Sequence, residues 1–275
     1  MMTGTGKRKL KVAVAGLGGI GLPVARWLAA GQPAYELVAV SARNTTRAAE
    51  RLARLGSAVP VLPLEELSRG SDIVIECVPA AVFDAVVRPA IAAGRTLLML
   101  SVGALLDRIE LVEAARQTGA RIIVPSGALL GLDAVRAAAQ GKIASVKMVT
   151  RKPPKSLVGA PYLIEHKISV EGLKAPLRVF AGNAREGARG FPANVNVAAA
   201  LALAGIGPER TALEIWADPA LERNTHRIEV EADAARFAMS IESIPSEENP
   251  RTGKLTPLSV IACLRGLVEP LRVGT

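Results

Sequence analysis

The chain has 275 residues, 50% of them hydrophobic and only 3% aromatic, which is enough small aliphatic mass for one large or two ordinary domains and excludes a disordered segment. The formal net charge is +9, but the basic residues are spread out and lack interleaved aromatics that stack on bases, so the charge suits a dinucleotide phosphate or a dicarboxylate rather than a nucleic acid. Two distant cysteines, Cys77 and Cys263, speak against a disulfide framework or a zinc site, and no apolar run reaches the roughly 18 residues needed to cross a bilayer.

Lys7, Arg8, Lys9 and Lys11 precede an apolar run in the manner of a secretory leader, but glycines interrupt it, so the expectation is a cytoplasmic protein. Leu10 to Ala15 reads as a first strand. Gly16-Leu17-Gly18-Gly19-Ile20-Gly21 follows, and then Ile20, Val24, Trp27 and Leu28 recur at helical spacing, with Pro23 in the first turn and Gly31 at the end. The alternation continues with a strand at Glu36 to Ser41, a helix at Thr45 to Leu55, and strands at Val59 to Leu62 and Asp72 to Cys77. A helix at Val82 to Ala93, a strand at Thr96 to Ser101, a helix at Asp107 to Gln117, a strand at Arg121 to Val124 and a helix at Leu132 to Gln140 complete the series. The pattern predicts a Rossmann α/β domain over residues 1–125, with a doubly wound parallel sheet of about six strands.

From about Ile143 longer strand-like runs take over: Ser145 to Thr150, Leu177 to Phe180, Ala212 to Ala217, Arg227 to Glu231 and Phe237 to Ser243, with a helix at Asn194 to Ala204 among them. They predict a second, α+β domain over residues 126–255, an open mixed sheet with helices on one face, which supplies substrate binding and dimerisation. A last helix, about residues 256–270, is expected to pack back on the first domain.

The glycine pattern has a specific physical meaning because it follows a strand and opens a helix. Gly16 permits the tight turn, Gly18 lets backbone approach a pyrophosphate, and Gly21 lets the helix pack closely; Gly19 and Ile20 complete the anion-facing turn. The second strand ends in Ser41-Ala42-Arg43-Asn44, with no acid to hold a ribose 2′-hydroxyl. Arg43 can pair with a 2′-phosphate and Ser41 can hydrogen-bond it, so NADP is favoured over NAD; the plainer alternative is that Arg43 is a solvated loop residue. Cys77-Val78-Pro79 falls at the carboxyl edge of the sheet, where its backbone can line the cofactor. Cys77 itself reads as a small buried residue rather than a nucleophile. No cluster with metal-ligand spacing stands out, so no metal is expected.

Six further segments carry a resemblance. They are Leu100-Ser101-Val102-Gly103-Ala104-Leu105, Pro125-Ser126-Gly127-Ala128, Thr150-Arg151-Lys152-Pro153-Pro154, Asn194-Val195-Asn196-Val197-Ala198-Ala199-Ala200, Asp218-Pro219 with Asn224-Thr225-His226, and Glu248-Asn249-Pro250-Arg251-Thr252. In this order the chain resembles the L-aspartate dehydrogenase family over nearly its whole length. The resemblance implies a homodimeric NAD(P)-dependent enzyme that oxidises L-aspartate to iminoaspartate, with a link to NAD biosynthesis. It implies His226 as the acid–base group, Ala128 with Asn194 or Asn196 near the nicotinamide, and Ser126, Gly127 and Asn224 around the substrate.

The residues themselves point the same way at His226. Only two histidines exist, and an amine oxidation needs a group that exchanges a proton near neutral pH, as imidazole does unaided. His166 lies in the polar stretch Glu165-His166-Lys167, which reads as solvated surface. Asn194 can also be a plain helix cap; Arg151 and Lys152 could attract a dicarboxylate, but such a pair at a strand end is usually only a solvated edge, and both stay unassigned. Two alternatives stay open: a related dehydrogenase for another small amino or keto acid, and an NADP(H)-sensing protein without turnover.

Overall fold

The computed structural model describes residues 8–192, 195–246 and 252–274. In chain order the first half contains β1 (Leu10–Ala15), α1 (Gly21–Ala29), β2 (Tyr35–Ser41), α2 (Thr45–Arg54), β3 (Ile73–Glu76), α3 (Phe83–Ala92), β4 (Thr96–Met99), α4 (Val102–Leu106), α5 (Glu110–Thr118) and β5 (Arg121–Ile123). The second half contains α6 (Leu132–Ala138), β6 (Ile143–Lys152), α7 (Pro161–Glu165), β7 (Leu177–Asn183), α8 (Ala184–Gly190), α9 (Asn196–Ala204), β8 (Thr211–Ala217), β9 (Thr225–Ala232), β10 (Arg236–Glu242) and α10 (Leu255–Val268). Among the described residues the chain divides into two compact units, one of residues 8–101, 109–125 and 260–270, the other of 102–108, 126–259 and 271–274.

The first unit is a parallel sheet in the order β2-β1-β3-β4-β5. Val12 to Ala15 and Ile73 to Glu76 are buried without alternation, as strands covered on both faces must be. The sheet has five strands rather than the expected six. Val59 to Leu62 contributes a single parallel bridge, Val61 to Val40, with the Val40 N–H donating to Pro60 O at 3.1 Å and the Leu62 N–H to Val40 O at 2.8 Å. Pro60 and Pro63 bracket the bridge and lack the N–H groups that would extend it. With that bridge beside β2, the spatial sequence is that of a dinucleotide-binding doubly wound sheet.

The core of this unit joins Val12, Val14, Leu28, Leu52, Ile75 and Leu98 to Val260 and Leu264 of α10. The buried Tyr35 hydroxyl donates to the Leu264 carbonyl, and burial pushes that phenol up to about 12. Both Val260 and Leu264 are fully buried, so α10 is part of the sheet's covering layer.

The second unit is a mixed sheet in the order β10-β9-β6-β8-β7. β6 runs parallel to β8 and antiparallel to β9; β7 and β10 close the edges as antiparallel partners of β8 and β9. Val146, Met148, Thr150 and Lys152 of β6, Leu213, Ile215 and Ala217 of β8, and His226, Ile228 and Val230 of β9 are buried, while the residues between them are less so. That two-residue period gives the sheet one covered face, and α8 and α9 pack on β8. The short helices α4, α7 and α8 have no counterpart in the sequence reading, and the described part of the Ala-rich helix begins at Asn196. No helix among the described residues is long and apolar enough to cross a membrane.

Leu264→Ala is expected to lower unfolding free energy by about 2–5 kcal/mol, the usual cost of an aliphatic cavity, and Leu271→Ala, at a side chain 74% exposed, to change it by less than about 0.5 kcal/mol. Urea denaturation of both variants measures the difference.

Candidate active site

The glycine turn leaves β1 under tight steric constraint. Gly16 has φ +92°, and a Cβ on it would stand 2.7 Å from the Cys77 carbonyl oxygen; a Cβ on Gly21 would stand 1.8 Å from Gly16 O. Gly18 meets nothing within 4 Å, so its backbone is open. α1 starts at Gly21 after Ile20 with no side-chain cap; the Leu22 N–H already donates to Gly18 O at 3.0 Å and Pro23 has no N–H, so an anion would meet the glycine turn itself rather than the residues that follow it. These features fit a dinucleotide pyrophosphate. The Arg51 guanidinium, from α2, donates to Leu17 O at 3.0 Å and braces the turn, a contact with no local signal in the sequence.

Ser41 ends β2, almost buried, and its carbonyl accepts from the Gly16 N–H at 2.8 Å. Arg43 is exposed just beyond it. Asn44 caps α2, its side chain accepting from the Arg47 N–H at 2.8 Å. Glu76 ends β3 fully buried and collects the N–H groups of Val78 (2.9 Å), Leu100 (3.2 Å) and Ser101 (2.9 Å), with the Ser101 hydroxyl also at 2.9 Å. Burial pushes its carboxyl up and the donated hydrogen bonds pull it back. The turn Cys77-Val78-Pro79 is thereby fixed, with Val78 buried and Pro79 exposed. Burial and the neighbouring Glu76 carboxylate push the Cys77 thiol well up, so it is no thiolate nucleophile.

In the second unit the covered face of the sheet turns polar at one end. Thr150 and His226 are register partners on β6 and β9, both buried, with Thr150 Oγ1 3.1 Å from His226 Nδ1. Lys152, next on the same side of β6, is only 5% exposed and burial lowers it to about 8. Desolvation, with the Lys152 charge second, lowers His226 to about 3. This corrects the expectation of an imidazole titrating unaided near neutrality: at working pH it is neutral, because its charged form is excluded by burial and by a nearby cation. Asn224, two residues before His226 in the chain, is half-buried.

Other predicted residues have separate supports. Gly127, at φ +66°, donates its N–H to Ser259 Oγ at 3.1 Å; Ser126 is exposed and Ala128 half-buried in the same turn. Asn196 starts α9 and accepts the Gly103 N–H on its side-chain oxygen at 3.0 Å, which ties α9 to α4. Asn194 lies outside the described residues. His166 is exposed, its ring stacked on Tyr162 with centroids 3.9 Å apart. Arg151 pairs with Asp218 at 3.1 Å and lies over the Trp216 ring, away from Lys152 in the alternation of β6. The buried Lys152 beside His226 is the site residue that sequence reasoning left unassigned.

A glycine turn on a doubly wound parallel sheet, followed by a mixed-sheet unit with a buried polar end, defines an NAD(P)-binding oxidoreductase of two units. The family model described as "Aspartate dehydrogenase, C-terminal" matches residues 133–267, and that described as "Homoserine dehydrogenase, NAD binding domain" matches residues 16–125. The chain is 55% identical to L-aspartate dehydrogenase 3 of Bordetella bronchiseptica over 98% of its own length and 99% of that protein's. It is 53% identical to L-aspartate dehydrogenase of Bradyrhizobium diazoefficiens, over 98% and 96%. The crystal structure of aspartate dehydrogenase from Thermotoga maritima matches with a TM-score of 0.75 at 25% identity, covering 97% of this chain and all of that one (100%). The chain belongs to the L-aspartate dehydrogenase family.

The His226 environment sets a pH dependence of stability. Its pKa is lower folded than unfolded, so the penalty for charging it is complete below about 3 and vanishes as pH rises through the unfolded value near 6.5. Between pH 7 and pH 5 the wild type is expected to lose about 2 kcal/mol more unfolding free energy than His226→Gln. Equal losses in denaturant titrations at the two pH values would show that His226 titrates normally in the folded state.

Proposed function

We propose that this protein is an L-aspartate dehydrogenase that prefers NADP(H), converting L-aspartate and water to oxaloacetate and ammonia through iminoaspartate, and reversibly aminating oxaloacetate. The observation that carries the reading is the neutral, buried His226 at the polar end of the second sheet, in a chain of this family. The bound dinucleotide supplies the two-electron acceptor or donor.

Gly16, Gly18, Gly19, Ile20 and Gly21 would hold the pyrophosphate, Arg43 and Ser41 the 2′-phosphate, and Cys77, Val78 and Pro79 the adjoining ribose. Ala128 with Asn194 or Asn196 would meet the nicotinamide, and Ser126, Gly127 and Asn224 the substrate. For Asn196 this role uses the side-chain nitrogen, since its oxygen holds Gly103. Exposure of Arg43 and the lack of an acid between Ser41 and Asn44 support the NADP preference.

His226 acts as the proton acceptor for the substrate amine and for the water that hydrolyses the imine. In the tautomer whose Nδ1–H donates to Thr150 Oγ1, Nε2 keeps the free lone pair that a proton acceptor needs; the threonine hydroxyl, which donates or accepts, holds the ring in place in either tautomer. A homodimer is the proposed assembly, joined through the second unit's sheet; a monomer by light scattering at assay concentration would overturn that part.

The test is NADPH oxidation in the presence of oxaloacetate and ammonia. Turnover should require ammonia, and His226→Ala should lower kcat roughly 10²–10⁴-fold; near-normal turnover of that variant would remove His226 from the reaction. Arg43→Ala should raise KM for NADPH about tenfold or more and leave KM for NADH almost unchanged. Tight NADPH binding with no turnover of any amino or keto acid would instead indicate a dinucleotide sensor.

A further inference from the structure

The polar end of the covered face extends past His226 across three strands. Arg151 of β6 and Glu242 of β10 both pair with Thr225 of β9. Antiparallel pairing therefore puts Lys152, Asn224 and the residue after β10, Ser243, in the adjoining row, and the Ser243 N–H donates to Asn224 O at 2.8 Å. Ala217 of β8, the register partner of Lys152, continues that row. Lys152, Ser243 and Ala217 are 5%, 7% and 0% exposed, so the row lies on the covered face, the face that also carries His226.

Ser243 is the second observation. Its hydroxyl is buried and has no hydrogen-bond partner among the described residues. A buried hydroxyl left in that condition destabilises the fold, and a ligand that accepts its hydrogen bond would remove that cost. The row offers an ammonium, a hydroxyl and an amide, all capable of donating, and a carboxylate has two oxygens with lone pairs for each.

We propose that Lys152, Asn224 and Ser243 form a carboxylate-binding subsite beside His226, which receives one carboxylate of a dicarboxylic substrate. The proposal rests on the aspartate dehydrogenase reading for the identity of that substrate, but the subsite is defined by its own geometry. Lys152 is then a binding residue with an additional effect on the base. An anion seated against it offsets the positive charge that disfavours the imidazolium, so His226 becomes a stronger base when substrate is present.

Succinate, a dicarboxylate with neither a keto group to reduce nor an amine to oxidise, separates binding from turnover. It is titrated calorimetrically into the full chain saturated with NADPH, for the wild type, Lys152→Met and Ser243→Ala. Lys152→Met is expected to weaken succinate binding at least about tenfold and Ser243→Ala roughly three- to tenfold, with NADPH affinity unchanged. Ser243→Ala removes an orphaned hydroxyl, so its thermal midpoint should equal or exceed the wild type's, which separates a binding role from a folding defect. Unaltered succinate affinity in both variants, or no succinate binding by the wild type, overturns the subsite. Ammonia-dependent turnover of oxaloacetate alongside unaltered succinate affinity would sink the subsite alone. Weakened succinate binding in the variants of a chain that turns over no oxaloacetate would sink the activity and leave the subsite standing.

Discussion

A single buried carboxylate organises the cofactor edge of the first unit. Where β3 and β4 stop, the N–H groups of Val78, Leu100 and Ser101 point inward and Glu76 takes them all. Buried N–H groups must be satisfied, so this one side chain fixes the course of two strand ends at once. The turn after β3 is in turn the wall against which the glycine loop is built, since it is the Cys77 carbonyl that excludes any side chain at Gly16, and Gly16 O that excludes one at Gly21. The steric constraint on the glycine turn thus depends on an acid that lies outside it.

The second unit uses buried polarity differently. Thr150, Lys152 and His226 stand where the alternation of β6 and β9 elsewhere buries Val146, Met148, Ile228 and Val230. Replacing apolar groups with an ammonium and an imidazole at one end of the face carries a desolvation cost, seen in the depressed pKa of both. Local folding stability is given up there for a buried polar cluster. The Arg151–Asp218 pair on the opposite side of β6 is half solvent-exposed at the arginine and contributes comparatively little.

Much of this is legible in the amino-acid sequence, and the remainder is hidden there for specific physical reasons. Strand, glycine turn and helix in the first unit follow from periodicity and from turn chemistry that acts over a few residues. The strand expected at Val59 to Leu62 shrank to one bridge because prolines at 60 and 63 outweighed an apolar run. Helices α4, α7 and α8 have only 5, 5 and 7 residues, too few to show a helical period. The legible sign for α8 was Asn183 followed three residues later by Glu186, a capping box in which each side chain accepts the other's N–H. Lys152 beside Arg151 and ahead of two prolines looked like a solvated strand end; following Val146, Met148 and Thr150 in steps of two would have placed it on the covered face. The neutral state of His226 was not legible, because burial arises from strands distant in sequence.

The bond from Tyr35 to the Leu264 carbonyl spans 229 positions, and every residue of the second unit's sheet is encoded between its ends. Synthesis proceeds from the amino terminus, so the nascent Rossmann sheet emerges from the ribosome with one patch of its core, the surface that Val260 and Leu264 will cover, still open. It must wait in that condition while the whole intervening sheet is translated. The dinucleotide-binding unit is begun first and completed only after the other unit's sheet, and its exposed patch in the interim is a surface for chaperones to hold or for neighbouring chains to misuse.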